Sequence, residues 1–587
     1  MAGVTAKTGH EVTGQLWSHR RVMLSIAVFS CITNLLMLTG SIFMMQVYDR
    51  VLTSGSVPTL IALSAIVAVL YIYYGFLEVV RARLMGRIGR NFEESLRGRV
   101  FDAVAMLALR KAPSTGGQPI QDMATIRQFL SGQGPFAYLD MPWVVIYLGV
   151  VFGLHPLLGI AGVVAAGLIF ALALLTERAT RRPVAAATTA TIAASAMNEE
   201  ARRNSEAMHA LGMRAMLRDR WAREQQTALD ASTEASDRGG IFGTASRVFR
   251  LMVQSGMLAL GAWLALKHEI SPGTIIASSI IMSRGLAPIE QAVANWQQFL
   301  SFRKAVTRLD QVLAAVQPVK EPMPLPPPKG LLEVENLTVV MQGNEKPILQ
   351  NLNFTVKPGT GLGVIGPTGA GKSTLSRVLV GVIEPARGAV RLDGATLDQR
   401  SEADRGRYVG YLPQDVQLFD GTVAQNISRF AKEPDAKAVV AAAQLANVHN
   451  LIMRLPEGYD TMLGEQGARL SAGQRQRLAL ARALYGDPAL IVMDEPNSNL
   501  DAEGEAALDA AIRAALQRGA ALVIVAHRPS ALQAVGDVLV LAEGKQAAYG
   551  RREDVLKQVT RPRSVSSPEG TQRVSATPTL AIPDIKA

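Results

Sequence analysis

Eight consecutive residues, Gly366-Pro367-Thr368-Gly369-Ala370-Gly371-Lys372-Ser373, carry the clearest chemistry in the chain. They fit the spacing G-x-x-x-x-G-K-[ST]. An apolar run, Gly361 to Ile365, precedes them, and a helix-compatible run, Thr374 to Gly381, follows. A strand–turn–helix of this kind curls backbone N–H groups around phosphate oxygens and adds the positive end of a helix. Lys372 is placed to reach the β- and γ-phosphates of ATP, and Ser373 to ligate Mg²⁺. A glycine loop arising by chance would lack these flanking elements.

The stretch "ALIVMDEP" supplies a second half. Leu490 to Met493 reads as an apolar strand that ends in Asp494-Glu495. A carboxylate at such a strand end can hold Mg²⁺ directly or through water, and Glu495 is then placed to polarise an attacking water. Two acidic residues opening a loop are common, and only the phosphate loop gives this pair its meaning. Three more stretches stand in order around it: Gln414 in "YLPQDVQLF", "NSNLD" from Asn497 to Asp501, and His527 in "VIVAHR", which follows another apolar strand. "LSAGQ", Leu470 to Gln474, precedes "RQRLALARAL", a good helix former.

This ordered set resembles the ABC ATPase family. The resemblance implies that Gln414 senses Mg²⁺ and meets the membrane domain, that Asn497–Asp501 communicates between paired sites, and that His527 contacts the γ-phosphate. It also implies that Ser471, Gly473 and Gln474 serve another subunit's nucleotide, facing the γ-phosphate held by Lys372 of the partner subunit. The physics agrees, because a helix start offers N–H donors and partial positive charge to an anion. The implied catalytic set is Glu495, His527, Lys372 and Gln414. The implied nucleotide contacts run from Gly366 through Thr374 and are completed by Ser471, Gly473 and Gln474. The implied metal contacts are Ser373, Gln414 and Asp494. One phosphate loop and one signature per chain imply a two-fold homodimer that sandwiches two ATP molecules. One departure stands out: the family stacks adenine on an aromatic residue, and here "LTVVMQGNEKPIL" offers Met341, whose thioether can still pack on a ring.

The elements that must couple this chemistry to something lie upstream. Hydrophobic residues make up 49% of the 587, and the apolar stretches concentrate before about residue 300. Val22 to Gln46 contains no Asp, Glu, Lys or Arg, and Pro58 to Leu77 is a second such run. A helix of either length crosses a hydrocarbon core of roughly 30 Å. Met141 to Leu175 would reach roughly 50 Å as one helix, so His155-Pro156 is read as the turn of a two-helix hairpin. Leu251 to Leu266 is a fifth span. Ile270 to Ile289 is a sixth and the weakest, because Arg284 lies within it. Arg284 marks either a span that ends early or a cation facing a water-filled cavity.

The net charge is +11, and the basic residues flank the apolar runs instead of forming one patch. Arg81, Arg83, Arg87, Arg90, Arg97 and Arg99 follow the second span; Arg178, Arg181, Arg182, Arg202 and Arg203 follow the fourth. Both long basic segments are therefore cytoplasmic, as are both termini. This pattern speaks against a nucleic-acid partner and for a multi-pass protein of the inner (plasma) membrane. The single cysteine, Cys31, falls inside an apolar run, which excludes an intrachain disulfide and any cysteine-built metal site. The apolar run after His19-Arg20-Arg21 is too long for a signal-peptide core.

The expected organisation is thus multi-domain. Residues 1–21 form a cytoplasmic segment and 22–316 an all-α six-helix transmembrane domain of the ABC exporter type. A stiff Pro-rich linker covers 317–330, the α/β P-loop ATPase domain 331–559, and a disordered tail 560–587. Two membrane stretches, "MQVYDRVLTSGSVPTL" (Met45 to Leu60) and "FLSGQGPFAYLDMPWVVIYL" (Phe129 to Leu148), resemble bacterial type I secretion exporters of the protease/lipase subgroup. "SEAMHALGMRAMLRDRW" (Ser205 to Trp221) resembles that subgroup's second cytoplasmic loop, with its short coupling helix. That resemblance implies a homodimeric motor joined to a periplasmic membrane-fusion adaptor and an outer-membrane channel, exporting an unfolded polypeptide with a C-terminal secretion signal. About twenty residues precede Val22 and hold no cysteine, so a leader-cleaving peptidase is not expected. An exporter of lipid or small amphiphiles would share the same motor and is the alternative. A regulatory channel that hydrolyses little is disfavoured by intact Glu495 and His527.

Overall fold

The computed structural model describes residues 11–109, 118–316, 322–341, 346–464, 467, 470–526 and 532–559. The chain divides into two compact units, Met1–Val319 and Lys320–Ala587.

The first unit is helical throughout. Among the described residues, five helices are long and apolar enough to cross a membrane: Arg20–Ser54, Val57–Leu109, Gly134–Leu154, Pro156–Arg203 and Arg214–Leu266. The break at His155 is extended (φ −163°, ψ 135°), and its Nδ1 accepts from the Leu157 N–H, capping the helix that Pro156 opens. The second and fifth of these helices run unbroken for 53 residues each. The basic segments are therefore continuations of the apolar helices and not separate loops.

The sixth expected span is the helix Pro272–Ala294, which is less apolar than the other five. The reason lies in its packing. Ala277, Ile281, Met282, Leu286 and Ile289 are buried, as are Thr274, Ser278 and Ser279. A helix enclosed by protein has no lipid to match, so small hydroxyl side chains are tolerated there. Its start is held by Asp49, which accepts from the Gly273 N–H at 2.8 Å and from the Ser271 hydroxyl at 2.6 Å.

The second unit is built on a ten-stranded sheet: β1 Leu332–Val339, β2 Leu349–Val356, β3 Gly361–Ile365, β4 Arg387–Leu392, β5 Ala395–Thr396, β6 Val409–Leu412, β7 Leu490–Asp494, β8 Ala521–Val525, β9 Asp537–Ala542 and β10 Lys545–Arg551. Their order is β5-β4-β1-β2-β10-β9-β3-β8-β7-β6. The pairs β3/β8, β8/β7, β7/β6 and β3/β9 are parallel, while β1, β2, β4 and β5 pair antiparallel. β7 and β8 are buried at every position, as expected of parallel strands covered on both faces. Of the Pro-rich linker, residues 322–330 form no helix or strand. The linker's end is pinned by Asp393, which accepts from the N–H groups of Lys329, Gly330 and Leu331. The tail 560–587 lies outside the described residues.

Candidate functional site

Four parallel neighbours, β3, β8, β7 and β6, deliver the chemistry to one edge of the sheet. β3 runs into the phosphate loop, β7 ends on Asp494, and β6 leads to Gln414. Leu412 stands opposite Met493, so Gln414 emerges level with the turn at Glu495 and is exposed. β8 leads toward His527, which lies outside the described residues. Ligand sites at the carboxyl ends of parallel strands are the rule for open α/β sheets, because backbone N–H groups and helix starts converge there.

The phosphate loop needs its glycines. Gly366 (φ 157°) packs so closely on β9 that a Cβ would come 2.2 Å from the Leu541 carbonyl oxygen. Gly371 (φ 95°) is the N-cap of the helix Lys372–Leu379, and a Cβ there would meet Leu349 at 2.6 Å. Pro367, Thr368 and Gly369 are exposed, Ala370 is buried, and Ser373 and Thr374 are half-buried. The Lys372 ammonium donates to the carbonyls of Gly366 and Pro367 at 2.9 and 3.0 Å, so the loop folds around its own cation. Burial pushes the Lys372 amine below its ordinary range, against the pull of Glu495 and Asp494.

Asp494 is 2% exposed. Its Oδ2 accepts from the Ser376 hydroxyl at 3.1 Å, while its Oδ1 is buried without a hydrogen-bond partner among the described residues. Burial raises its carboxyl above the usual range; the nearby hydroxyls of Ser373 and Ser376 oppose that shift. An orphaned carboxylate oxygen beside the Ser373 hydroxyl is a hard-oxygen donor set, which suits Mg²⁺. Glu495 follows in a left-handed conformation (φ 51°), unusual for a residue with a Cβ, and its N–H continues the sheet by donating to Val525 O at 2.9 Å.

The helix Ala472–Leu484 begins at Ser471 with a reciprocal cap. Ser471 Oγ accepts from the Gln474 N–H at 3.3 Å, and Gln474 Oε1 accepts from the Ser471 N–H at 2.9 Å. Ser471 is exposed, and no hydrogen bond among the described residues joins Ser471, Gly473 or Gln474 to the phosphate loop. Gly473 presses against the loop after β7, where a Cβ would lie 2.8 Å from Asn499 O.

Two residues that sequence reasoning passed over complete the site's frame. Gln476 is buried; its amide donates to the carbonyls of Glu495 and Pro496, and its Oε1 accepts from the Asn499 N–H at 3.1 Å. It lies inside "RQRLALARAL", and only its polarity on a helix face otherwise rich in Ala and Leu could have flagged it. Arg429 is half-buried at the far end of the same helix. It donates to the carbonyls of Arg482, Ala483 and Tyr485 and also to those of Gly406 and Val409. Burial pushes its guanidinium down to about 10, helped by the nearby Arg482 charge. A cation at a helix C-terminus complements the dipole whose positive end lies at Ser471. Arg429 and Phe430 both adopt positive φ (57° and 56°), so this tie is held under backbone strain.

Comparisons with known proteins agree with this geometry. Residues 23–286 match the family description "ABC transporter transmembrane region", and residues 349–498 match "ABC transporter". The type I secretion system ATP-binding protein PrsD of Rhizobium meliloti (strain 1021) is 46% identical over 547 residues, covering 93% of this chain and 94% of that one. The chain belongs to the type I secretion ABC exporters. More distant relatives include the cyclolysin secretion/processing ATP-binding protein CyaB of Bordetella pertussis, 27% identical over 92% of the exporter and 76% of CyaB. The leukotoxin translocation ATP-binding protein LktB of Mannheimia haemolytica is 26% identical over 92% of the exporter and 77% of LktB. The exporter's fold is also that of a bacterial Atm1-family ABC exporter solved with ATP bound, with a TM-score of 0.79 at 21% identity over 92% of this chain and 96% of that one. The exporter is thus a membrane-embedded ATPase, a helical transmembrane unit followed by an ABC ATPase unit.

Proposed function

We infer that two copies of this chain form the inner-membrane motor of a type I secretion system. They use ATP to move an unfolded polypeptide, recognised by a C-terminal signal, from the cytoplasm through an adaptor and an outer-membrane channel. The observation that carries this reading is the pairing of two unlike phosphate-seeking helix starts on one chain. The start at Gly371 is folded around Lys372, and the start at Ser471 is exposed and capped only by its own residues. A second copy related by a two-fold axis brings each exposed start to the other's phosphate loop. The 46% identity to PrsD, whose name places it in a type I secretion system, favours polypeptide cargo over lipid or small amphiphiles.

In this reading Lys372 and the loop N–H groups hold the phosphates, and Ser373 and Asp494 hold Mg²⁺ with Gln414 facing it. Bound there, Mg²⁺ would neutralise phosphate charge. Glu495 accepts a proton from the attacking water, and the family resemblance assigns contact with the γ-phosphate to His527. Ile348, half-buried against Gly371, and the half-buried Met341 would flank the adenine in place of an aromatic ring. The basic helix continuations favour a cytoplasmic location for both termini. Closure on ATP and reopening after hydrolysis would switch the membrane helices between inward and outward access. Reconstitution with a candidate cargo tests the reading: ATP-dependent translocation of a polypeptide carrying the C-terminal signal is expected, and export of lipid in its place would overturn it.

A further inference from the structure

Two arginines of the membrane unit lie near one another and are treated differently. Arg250, on the helix Arg214–Leu266, is paired within the protein: its Nε lies 2.6 Å from Glu290 Oε2 in an ion pair, and its Nη1 donates to the Ser283 hydroxyl at 3.2 Å. Arg284 is the neighbour of that serine on the helix Pro272–Ala294. It is exposed and has no hydrogen bond or ion pair among the described residues. It lies about 18 Å along the helix from Pro272 at 1.5 Å per residue, deep within the segment read as the sixth span. Its direction is fixed by the packing of its neighbours. Gly285 faces Tyr147, where a Cβ would come within 2.8 Å of the tyrosine Cβ, and Met282 packs over Gly162.

Residues at seven-position intervals share a helix face. Seven positions before Arg284, Ala277 is buried, and seven after it Gln291 is exposed; Gln298, also exposed, lies on the next helix, Trp296–Ala315, just past the break at Asn295. This face is therefore closed toward Pro272 and open toward the end that continues into the cytoplasmic helices. Other exposed faces of the unit carry Ile61, Ile66, Val69 and Ile72, as a lipid-facing surface requires. An arginine–glutamine–glutamine stripe is the opposite of such a surface, since intramembrane charge faces a bundle interior or water. A second copy cannot cover Arg284 with its own Arg284 across a two-fold axis, because the like charges repel.

We propose that the Arg284–Gln291–Gln298 stripe lines the water-filled path of the cargo, and that Arg284 binds carboxylate side chains of the unfolded polypeptide entering from the cytoplasm. This rests on the reading of the chain as a polypeptide exporter. A guanidinium presents a planar fork of donors that matches a carboxylate in two-point contact, and glutamine amides match the unpaired N–H and C=O groups of an extended chain. A moving chain would meet the Arg284 cation of each subunit, which would guide acidic segments as they pass.

The single native cysteine makes the test clean. In a Cys31→Ser background, Arg284→Cys, Gln291→Cys and Ile72→Cys are exposed in membranes to an anionic, membrane-impermeant thiol reagent. Reaction at 284 and 291 but not at 72 is expected. Protection of both stripe positions to the same degree as 72, with and without ATP, would overturn the path assignment. This first arm needs no cargo and stands apart from the export reading. In the second arm, two cargo polypeptides of equal length carry the same C-terminal signal, one rich in Asp and Glu and the other neutral. Arg284→Gln should lower export of the acidic cargo by about ten-fold and that of the neutral cargo by less than about two-fold, with Arg284→Lys retaining most of the difference. Equal losses for both cargoes, or no loss for either, would overturn the carboxylate role. Failure of the unaltered exporter to move any polypeptide would instead count against the export reading.

Discussion

The chain carries two helix starts suited to phosphate, and they differ in every physical respect. The start at Gly371 is built on positive-φ glycines, buries a lysine on its own carbonyls and leaves an aspartate oxygen unpaired beside it. The start at Ser471 is exposed, has ordinary backbone angles (φ −66°, ψ 163°) and is complete as a cap without any ligand. Strain and desolvation mark a site that works on its own ligand; an unstrained, outward-facing cap marks a surface held ready for someone else's. The two are nonetheless joined inside one chain by Gln476, which runs from the second helix to the carbonyl of Glu495.

The sharpest way to break this contrast is at the strained residue itself. Glu495→Gln is expected to leave ATP binding intact and to lower turnover by about 10²–10⁴-fold, the usual worth of a general base. Turnover within a few-fold of the unaltered exporter would remove Glu495 from that role.

Mixed assemblies test whether the exposed start serves a partner. When Lys372→Ala and Ser471→Arg sit on different chains, one complete composite site survives and ATP should still be occluded. When both sit on the same chain, each composite site has one defective half and none should be. Self-contained sites would give the reverse pattern, so nucleotide trapping in the two arrangements decides between them.

Arg429 sharpens the contrast from the other end of the helix. It acts as a positioning residue, since it touches only backbone carbonyls. Arg429→Lys replaces a fork of donors by a point charge and should lower kcat by about five- to ten-fold while leaving the KM for ATP within about two-fold. A rise in KM that accounts for the whole loss would mean that the phosphate loop, and not the signature helix, had been disturbed.

The smallest effect concerns stability. The Asp494 carboxyl is raised by burial, so between its ordinary and its folded pKa the native state binds more protons than the unfolded state. Stability contributed through this group therefore falls as pH rises through that window, and at neutral pH the buried charge is a cost. Asp494→Asn should abolish hydrolysis yet raise the Tm of the nucleotide-free protein, by about 2–4 °C for each kcal/mol recovered. A lower Tm at neutral pH would show that the charge is compensated by neighbours such as Lys372.

Much of this was legible in the sequence because it rests on local rules. The phosphate loop, the acidic end of β7 and the capped start at Ser471 are fixed by spacing, strand burial and side-chain capping, all of which act within a few residues. Arg284 was legible as a problem, a charge where none is expected, but its exposure depends on how Gly285 and Met282 rotate a packed helix. Gln476 left only the faint mark of a polar residue on an apolar helix face, and Arg429 left none. Their roles depend on carbonyls 19 to 56 positions away, brought close only by the tertiary fold. The sixth helix looked marginal for the same reason: hydropathy measures affinity for lipid, and this helix meets protein.

The 53-residue helices carry one more implication. Each is a stiff rod of about 80 Å, against a hydrocarbon thickness of roughly 30 Å. Pivoted where it leaves the lipid, such a rod has unequal arms. A swing of its long, water-side arm returns a shorter excursion, delivered with greater force, at the end within the bilayer. The gearing suits a device that must pry apart tightly packed side chains more than one that must travel far.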